Sequence, residues 1–305
     1  MIGRVCSFIV ALAALLPAVS SCALAARSRE FGSGRQVGVV QSDLIREASG
    51  LVASRQNPGV LWVHNDSGDS ARVFAINDKA ELLGICTITG ATARDWEDIA
   101  VGPGPDPNQS YLYIADIGDN RAKYPSVTVY RLPEPKVDPR SPFNQMKSRP
   151  AEAIRLTYPG GPRDAETLLV DPLTRDLFII SKREFFSKVY RAAYPQSTTE
   201  TVELKHVATL PWGFAVAGDV SPDGRRVIIR SMSGASLWVR PPGEPLWHAF
   251  SGKQMTLPLM REPQGESISF DARGEGYFTI SEMEHPPLHY FGPAEPNATQ
   301  PAGAP

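Results

Sequence analysis

Glu166-Thr167-Leu168-Leu169-Val170-Asp171-Pro172 places an acidic residue at the head of a short apolar run that an Asp-Pro pair ends. A run of this length, bounded by turn formers, reads as a β-strand. The unit recurs as Glu47-Ala48-Ser49-Gly50-Leu51-Val52-Ala53 and Glu97-Asp98-Ile99-Ala100-Val101-Gly102-Pro103. It recurs again as Asp219-Val220-Ser221-Pro222-Asp223-Gly224 and Glu266-Ser267-Ile268-Ser269-Phe270-Asp271-Ala272. The acidic heads stand 50, 69, 53 and 47 residues apart, which defines five units.

Each unit continues in the same way. A second strand is predicted at Val60 to His64, Tyr111 to Asp116, Leu177 to Ser181, Arg226 to Ser231 and Gly276 to Ser281. A third follows at Arg72 to Asn77, Val127 to Leu132, Lys188 to Ala193, Ala235 to Arg240 and Leu288 to Phe291. Fourth strands fall at Leu82 to Thr89, Ala151 to Tyr158, Thr201 to Leu210 and Leu246 to Phe250. The last unit lacks one, and Arg35 to Gln41, ahead of the first acidic head, is left to supply it. Four-stranded units of roughly 40 to 50 residues, repeated radially, make a propeller, which manages its sheet edges by closing into a ring. The expected fold is therefore all-β: a five-bladed propeller of antiparallel blades, spanning 35–292 and closed by the N-terminal strand.

The long interval holds Pro133 to Pro150, with five prolines, and reads as an extended surface excursion within one domain. The tail 293–305, rich in Pro and Ala, reads as disordered. An apolar content of 42% suits a soluble globular chain, and a net charge of -2 gives no electrostatic reason to expect a nucleic-acid partner.

Residues 1–25 read as a signal segment, with Arg4 ahead of an apolar stretch from Phe8 to Val19 that is too short to span a bilayer. Two processing sites compete. Ala23-Leu24-Ala25 fits a signal peptidase, whereas Val19-Ser20-Ser21-Cys22 resembles a bacterial lipobox, which would lipidate Cys22. Either way the chain is expected to be exported, periplasmic or on the cell surface, with a lipid anchor as its only membrane contact, and monomeric. Cys86 is then left without a partner and reads as a small buried hydrophobe.

With its Pro-Asp-Gly turn at Ser221-Pro222-Asp223-Gly224, the repeat resembles secreted bacterial propellers of the NHL, SMP-30 and phytase-like group from about Arg35 to Phe291. That resemblance implies a divalent metal, such as calcium, in the channel. No Trp-Asp dipeptide of the WD40 kind stands in the expected place.

In a propeller the start of strand one and the turn after strand two share one face, called here the top face. Glu47, Glu97, Glu166, Asp219 and Glu266 are thereby expected to ring the channel as metal ligands. Five facing carboxylates need a cation, protons, arginines or backbone amides to offset their charge. Calcium suits such hard oxygen donors; a purely structural ring accepting backbone N–H groups is the rival reading. The turns add His64, Asp66, Asp69, Asp116 and Asp119, and the cations Arg46, Lys182, Arg183 and Arg230, as ligand-binding candidates. These cations would receive a small anionic ligand or neutralise the acids.

No Gly-x-Ser-x-Gly, His-Glu-x-x-His, phosphate-binding loop or Cys-x-x-Cys is present. Two functions remain. One is a cation-binding propeller whose top face meets a small anionic ligand or a protein partner. The other is a calcium-dependent hydrolase of phosphoesters or lactones, with Glu97 or Glu166 activating water.

Overall fold

The computed structural model describes residues 31–138 and 140–294, so the signal segment, Cys22 and nearly all of the tail lie outside the described residues. The chain opens with β1 (Arg35–Val39) and then runs through β2 (Ala48–Ala53), β3 (Val60–Asn65), β4 (Arg72–Asn77) and β5 (Leu82–Thr87). Next come β6 (Trp96–Pro103), β7 (Ser110–Asp116), β8 (Val127–Pro133), β9 (Asn144–Lys147) and β10 (Glu152–Thr157). These are followed by β11 (Ala165–Val170), β12 (Leu177–Ser181), β13 (Lys188–Ala192), β14 (Val202–Glu203) and β15 (Lys205–Thr209). The last third holds β16 (Ala215–Val220), β17 (Arg226–Ser231), β18 (Gly234–Val239), β19 (Met255–Leu257), β20 (Ser269–Phe270), β21 (Tyr277–Ile280) and β22 (Pro287–Phe291).

These strands form five sheets, whose innermost members are β2, β6, β11, β16 and β20. Each innermost strand packs against the next, and β20 returns to β2, so the ring closes into a five-bladed propeller. Closure uses the N-terminal strand as the sequence predicts. β1 lies antiparallel to β22, with Arg35 opposite Tyr290 and Val39 opposite Pro287.

The period of two explains how one blade serves two neighbours. On β7, Leu112 and Ile114 pack toward blade one, whereas Tyr111, Tyr113 and Ala115 pack toward blade three. Every seam between blades carries such an apolar cluster, five in all. Strands buried on both faces need no polar–apolar alternation, so Tyr111 to Ala115 of β7 and Leu177 to Ile180 of β12 are continuous apolar runs, whereas the innermost strands also bury polar residues such as Glu97, Asp98, Glu166 and Asp219. Cys86 lies in the seam between blades one and two, its thiol pushed up to about 12 by burial.

Three expectations about outer strands need correcting. Leu246 to Phe250 is part of a 3-10 helix, Leu246–Ser251, whose buried Leu246, Ala249 and Phe250 follow helical spacing; β19 takes the edge of blade four. The predicted Thr201 to Leu210 strand divides, β15 staying in blade three while β14 pairs in parallel with β10 of blade two. The proline-rich segment is no free excursion. Its β9 adds a parallel strand to β5 of blade one, and Glu134 accepts the Trp62 Nε1–H at 2.9 Å. Blades one and two thus gain fifth strands that cover exposed edges and tie one blade to its neighbour.

Candidate functional site at the channel mouth

Each innermost strand begins with a one-residue irregularity in its pairing with strand two. The unpaired positions are Ser49, Glu97, Glu166 and Val216. In blade five Gly265 bridges Ser281 while Ser269 pairs with Phe278, which leaves Glu266 at the same place. A bulge re-aims the side chain it carries, and here three of five such residues are glutamates. Two residues earlier stand Glu47, Asp95, Asp164, Phe214 and Gln264. Their carbonyls accept backbone N–H bonds from Asp66, Gly118, Lys182, Met232 and Glu282 respectively, at 2.7–3.3 Å, one in every blade.

The acids thus form two tiers rather than one ring. Glu97, Glu166 and Glu266 occupy the inner tier, and Glu47 belongs two residues outward with Asp95 and Asp164. Asp219 is deeper, pairing with Ile228 well inside β16. Blade four breaks the pattern: Phe214, Val216 and Met232 fill its three mouth positions with apolar side chains.

At the centre stands Glu97. Its carboxylate lies with those of Asp66 and Asp95 in one group, and with those of Asp164 and Glu166 in another, each group having its oxygens within 4.8 Å of one another. Gly118 makes the room, because a Cβ there would run into the Glu97 and Asp95 carboxylates. Lys182 is hydrogen-bonded to Glu166, and its Nζ is 3.7 Å from Glu266. With the Arg183 guanidinium on Asp164, these two cations still do not offset Asp66, Asp95, Glu97, Asp164, Glu166 and Glu266. Glu166 Oε2 and Asp66 Oδ1 are buried with no hydrogen-bond partner.

Burial, reinforced by Glu166, Asp66 and Asp95, pushes the Glu97 carboxyl well above the usual range. Burial moves Glu166 up to about 8 despite Lys182. Asp95 rises to about 6 through burial and then through Asp66 and Asp164. Glu282, half-buried and beside Glu266, rises to about 8, through desolvation first and then Glu266. Without a cation the mouth therefore holds protons at neutral pH.

The remaining candidates have partners of their own. Asp69 accepts from Asn65, Ser70 and Arg72 within its turn. Asp116 accepts the Asp95 amide at 2.9 Å, and Asp119 accepts the Tyr124 amide at 2.7 Å. Arg183 binds Asp164 at 2.7 Å, and Arg46 is tied to the Asp43 carbonyl. Arg230 is buried, ion-paired to Glu262 and bonded to the Ser267 carbonyl, in space that a side chain at Gly265 would take. His64 is fully buried, edge-on to Trp96, and burial lowers its imidazole to about 4, so it is neutral.

Sequence reading missed Asp95, Asp164, Glu282 and the buried Asp98, whose carboxylate accepts the Ile99 and Leu168 amides at 2.9 Å. A signal for the first two was present: Asp95-Trp96-Glu97 and Asp164-Ala165-Glu166 repeat one Asp-x-Glu pattern.

No family model and no curated protein matches the chain. Among solved structures it is similar to a luciferin-regenerating enzyme, at 9% identity over 85% of this chain and 94% of that one, with a TM-score of 0.45. It is also similar to the WD40 domain of Pan2 from Neurospora crassa, at 10% identity over 89% and 98%, with a TM-score of 0.42. The propeller assignment rests on the strand pairing of this chain itself.

Proposed function

We propose that this protein is an exported propeller that binds a divalent cation, calcium by preference, at the top of its channel. Glu97 is the central ligand, with Asp66 and Asp95 or Asp164 and Glu166 beside it. The observation that carries this reading is that two carboxylate groups share Glu97 while Glu166 Oε2 and Asp66 Oδ1 stay buried and unpaired. Such oxygens otherwise bear the cost of desolvation with nothing in return. The donors are all oxygens with no His or Cys among them, which suits a hard cation. The resemblance to SMP-30 and phytase-like propellers supports the same choice.

The top face also suits a protein partner. Phe185 is 93% exposed, and Phe186, Phe214 and Met232 are exposed near it, with Phe214 bonded through its backbone to Lys182 and to Met232. An exposed apolar cluster beside an acidic mouth fits a protein segment that places a basic side chain next to a large apolar one.

Calorimetric titration of chelator-treated protein with calcium chloride tests the metal site. The expected result is saturable binding with proton release, since the raised carboxyls must ionise to bind, and a higher melting temperature. Glu97→Gln and Gly118→Ala should each weaken binding at least tenfold. Absence of binding by calcium, magnesium and manganese alike would overturn the reading.

A further inference from the structure

Three of the cations that the sequence offered either to an anionic ligand or to the acids are held by acids. Lys182 serves Glu166, Arg183 serves Asp164 and Arg230 serves Glu262. Cations without such partners lie at the opposite end of the molecule, at the seam where β1 closes blade five against blade one. A cavity of about 590 Å³ opens there, lined among others by Arg35, Lys79, Arg273, Phe278 and Tyr290. Its volume falls within the roughly 300–1,000 Å³ common for small-molecule sites.

Among the described residues neither the Arg35 guanidinium nor the Lys79 ammonium has a hydrogen-bond or ion-pair partner. Arg35 is 5.6 Å from the centre of the Tyr290 ring, and Phe278 lies 4.7 Å from that ring on its other strand. The Tyr290 hydroxyl is fixed by Asp271 at 2.8 Å, so the aromatic wall is held in place. Asp271 also lines the cavity, but its carboxylate is committed to the Arg273, Glu275 and Gly276 amides as well as to Tyr290. Arg273 makes only an exposed pair with Glu275 at 3.2 Å, which is weak in water. Asp78 and Asp271 are the two acids of the lining, and the three cations Arg35, Lys79 and Arg273 exceed them by one positive charge.

We infer that this seam cavity binds a small organic anion, a carboxylate or phosphate group carried on a flat apolar body. The anionic group is received by Arg35 and Lys79, whose donors suit it, and the body lies along Phe278 and Tyr290. Because the lining comes from β1, blade five and blade one together, an occupant bridges the first and last blades and strengthens closure of the ring.

Phenyl phosphate, inorganic phosphate and benzyl alcohol, each titrated into the full-length mature protein with chelator present, separate the contributions. Phenyl phosphate should bind saturably and raise the melting temperature, inorganic phosphate should bind at least tenfold more weakly, and benzyl alcohol should not bind. Lys79→Glu, at an exposed position that folding does not need, should cost at least tenfold in phenyl phosphate affinity, and Arg35→Ala should do the same. Glu97→Gln should leave it unchanged, which keeps this test separate from that of the channel mouth. No saturable binding, binding indifferent to Lys79→Glu and Arg35→Ala, or equal affinity for inorganic phosphate would each overturn the inference.

Discussion

The Phe270 amide of blade five donates to the Asp219 carboxylate of blade four at 2.9 Å, and the Ser269 hydroxyl donates to the same oxygen at 3.0 Å. Asp98 makes the matching link between blades two and three by accepting the Leu168 amide. Ser49 links blades one and two through the Glu97 carbonyl at 2.8 Å, and the Ala53 amide reaches Ser269 at 3.2 Å across the closing seam. Below the acidic mouth, short polar side chains thus stitch the inner strands together alongside the apolar clusters of the seams.

Removing one stitch should be costly. Asp219→Ala leaves the buried Phe270 and Val220 amides without this acceptor, at about 1–3 kcal/mol for each group left unsatisfied, while the Ser269 hydroxyl keeps the Phe270 carbonyl at 3.0 Å. Asp219→Asn keeps one oxygen and should cost less than the alanine change. Urea melts of the three proteins check the order. An alanine variant as stable as the parent would show that blade packing alone holds the ring.

The pH dependence of the cation-free protein follows from the raised carboxyls. Glu166 and Glu282 titrate at about 8 and Asp95 at about 6 when folded, against about 4 for an unfolded carboxylate. Between those values the folded protein binds more protons than the unfolded chain, so stability falls as pH rises and levels off above pH 8. His64 acts with the opposite sign, since its lowered imidazole costs stability below about pH 6.5, but it is one group against Glu166 and Glu282 with larger shifts. Glu262, held low against burial by His289 and Arg230, loses its contribution only on further acidification. With chelator, the urea midpoint should therefore be lower at pH 8 than at pH 5.5, and saturating calcium should remove most of the difference. A midpoint that is flat or rises over this interval in chelator would contradict the assignment of protons to the mouth.

The ring and its closing strand were legible because each depends on local pattern: apolar runs of strand length, turn residues between them and a unit count. β3, β4, β7, β12 and β17 lie within a residue of their expected bounds. Residues 246–251 misled because a short run such as Leu246-Trp247-His248-Ala249-Phe250 carries the same apolar content as a strand, and only the spacing of its buried members separates the two. At the mouth, matching acidic heads one to one placed Glu47 and Asp219 level with Glu97. Register within a blade is set by the bulge and by cross-strand pairing, which a linear motif does not encode, so Ser49 and Val216 were invisible as the true equivalents. Asp98 escaped for a related reason, since its partner amide belongs to a strand 70 residues away.

Phe214 offers the last test, because its backbone and its side chain pull in different directions. Its φ of 62° lies in the left-handed region, which costs a residue with a Cβ about 1–2 kcal/mol. The conformation is held by the Phe214 amide on the Lys182 carbonyl at 2.9 Å and by the Met232 amide on the Phe214 carbonyl at 3.3 Å. The ring that incurs this strain is 47% exposed, so it recovers little by burial. Phe214→Gly removes the strain, while the freer unfolded chain takes back about 0.5–1 kcal/mol. The variant should therefore match or slightly exceed the parent in urea midpoint, unlike Phe74→Ala in the core, which should lose about 3–5 kcal/mol. A loss above about 2 kcal/mol for Phe214→Gly would mean that the ring packs as core. A neutral or stabilising result would mean that this aromatic is kept on the top face for something other than folding, in line with a docking role beside the acidic mouth.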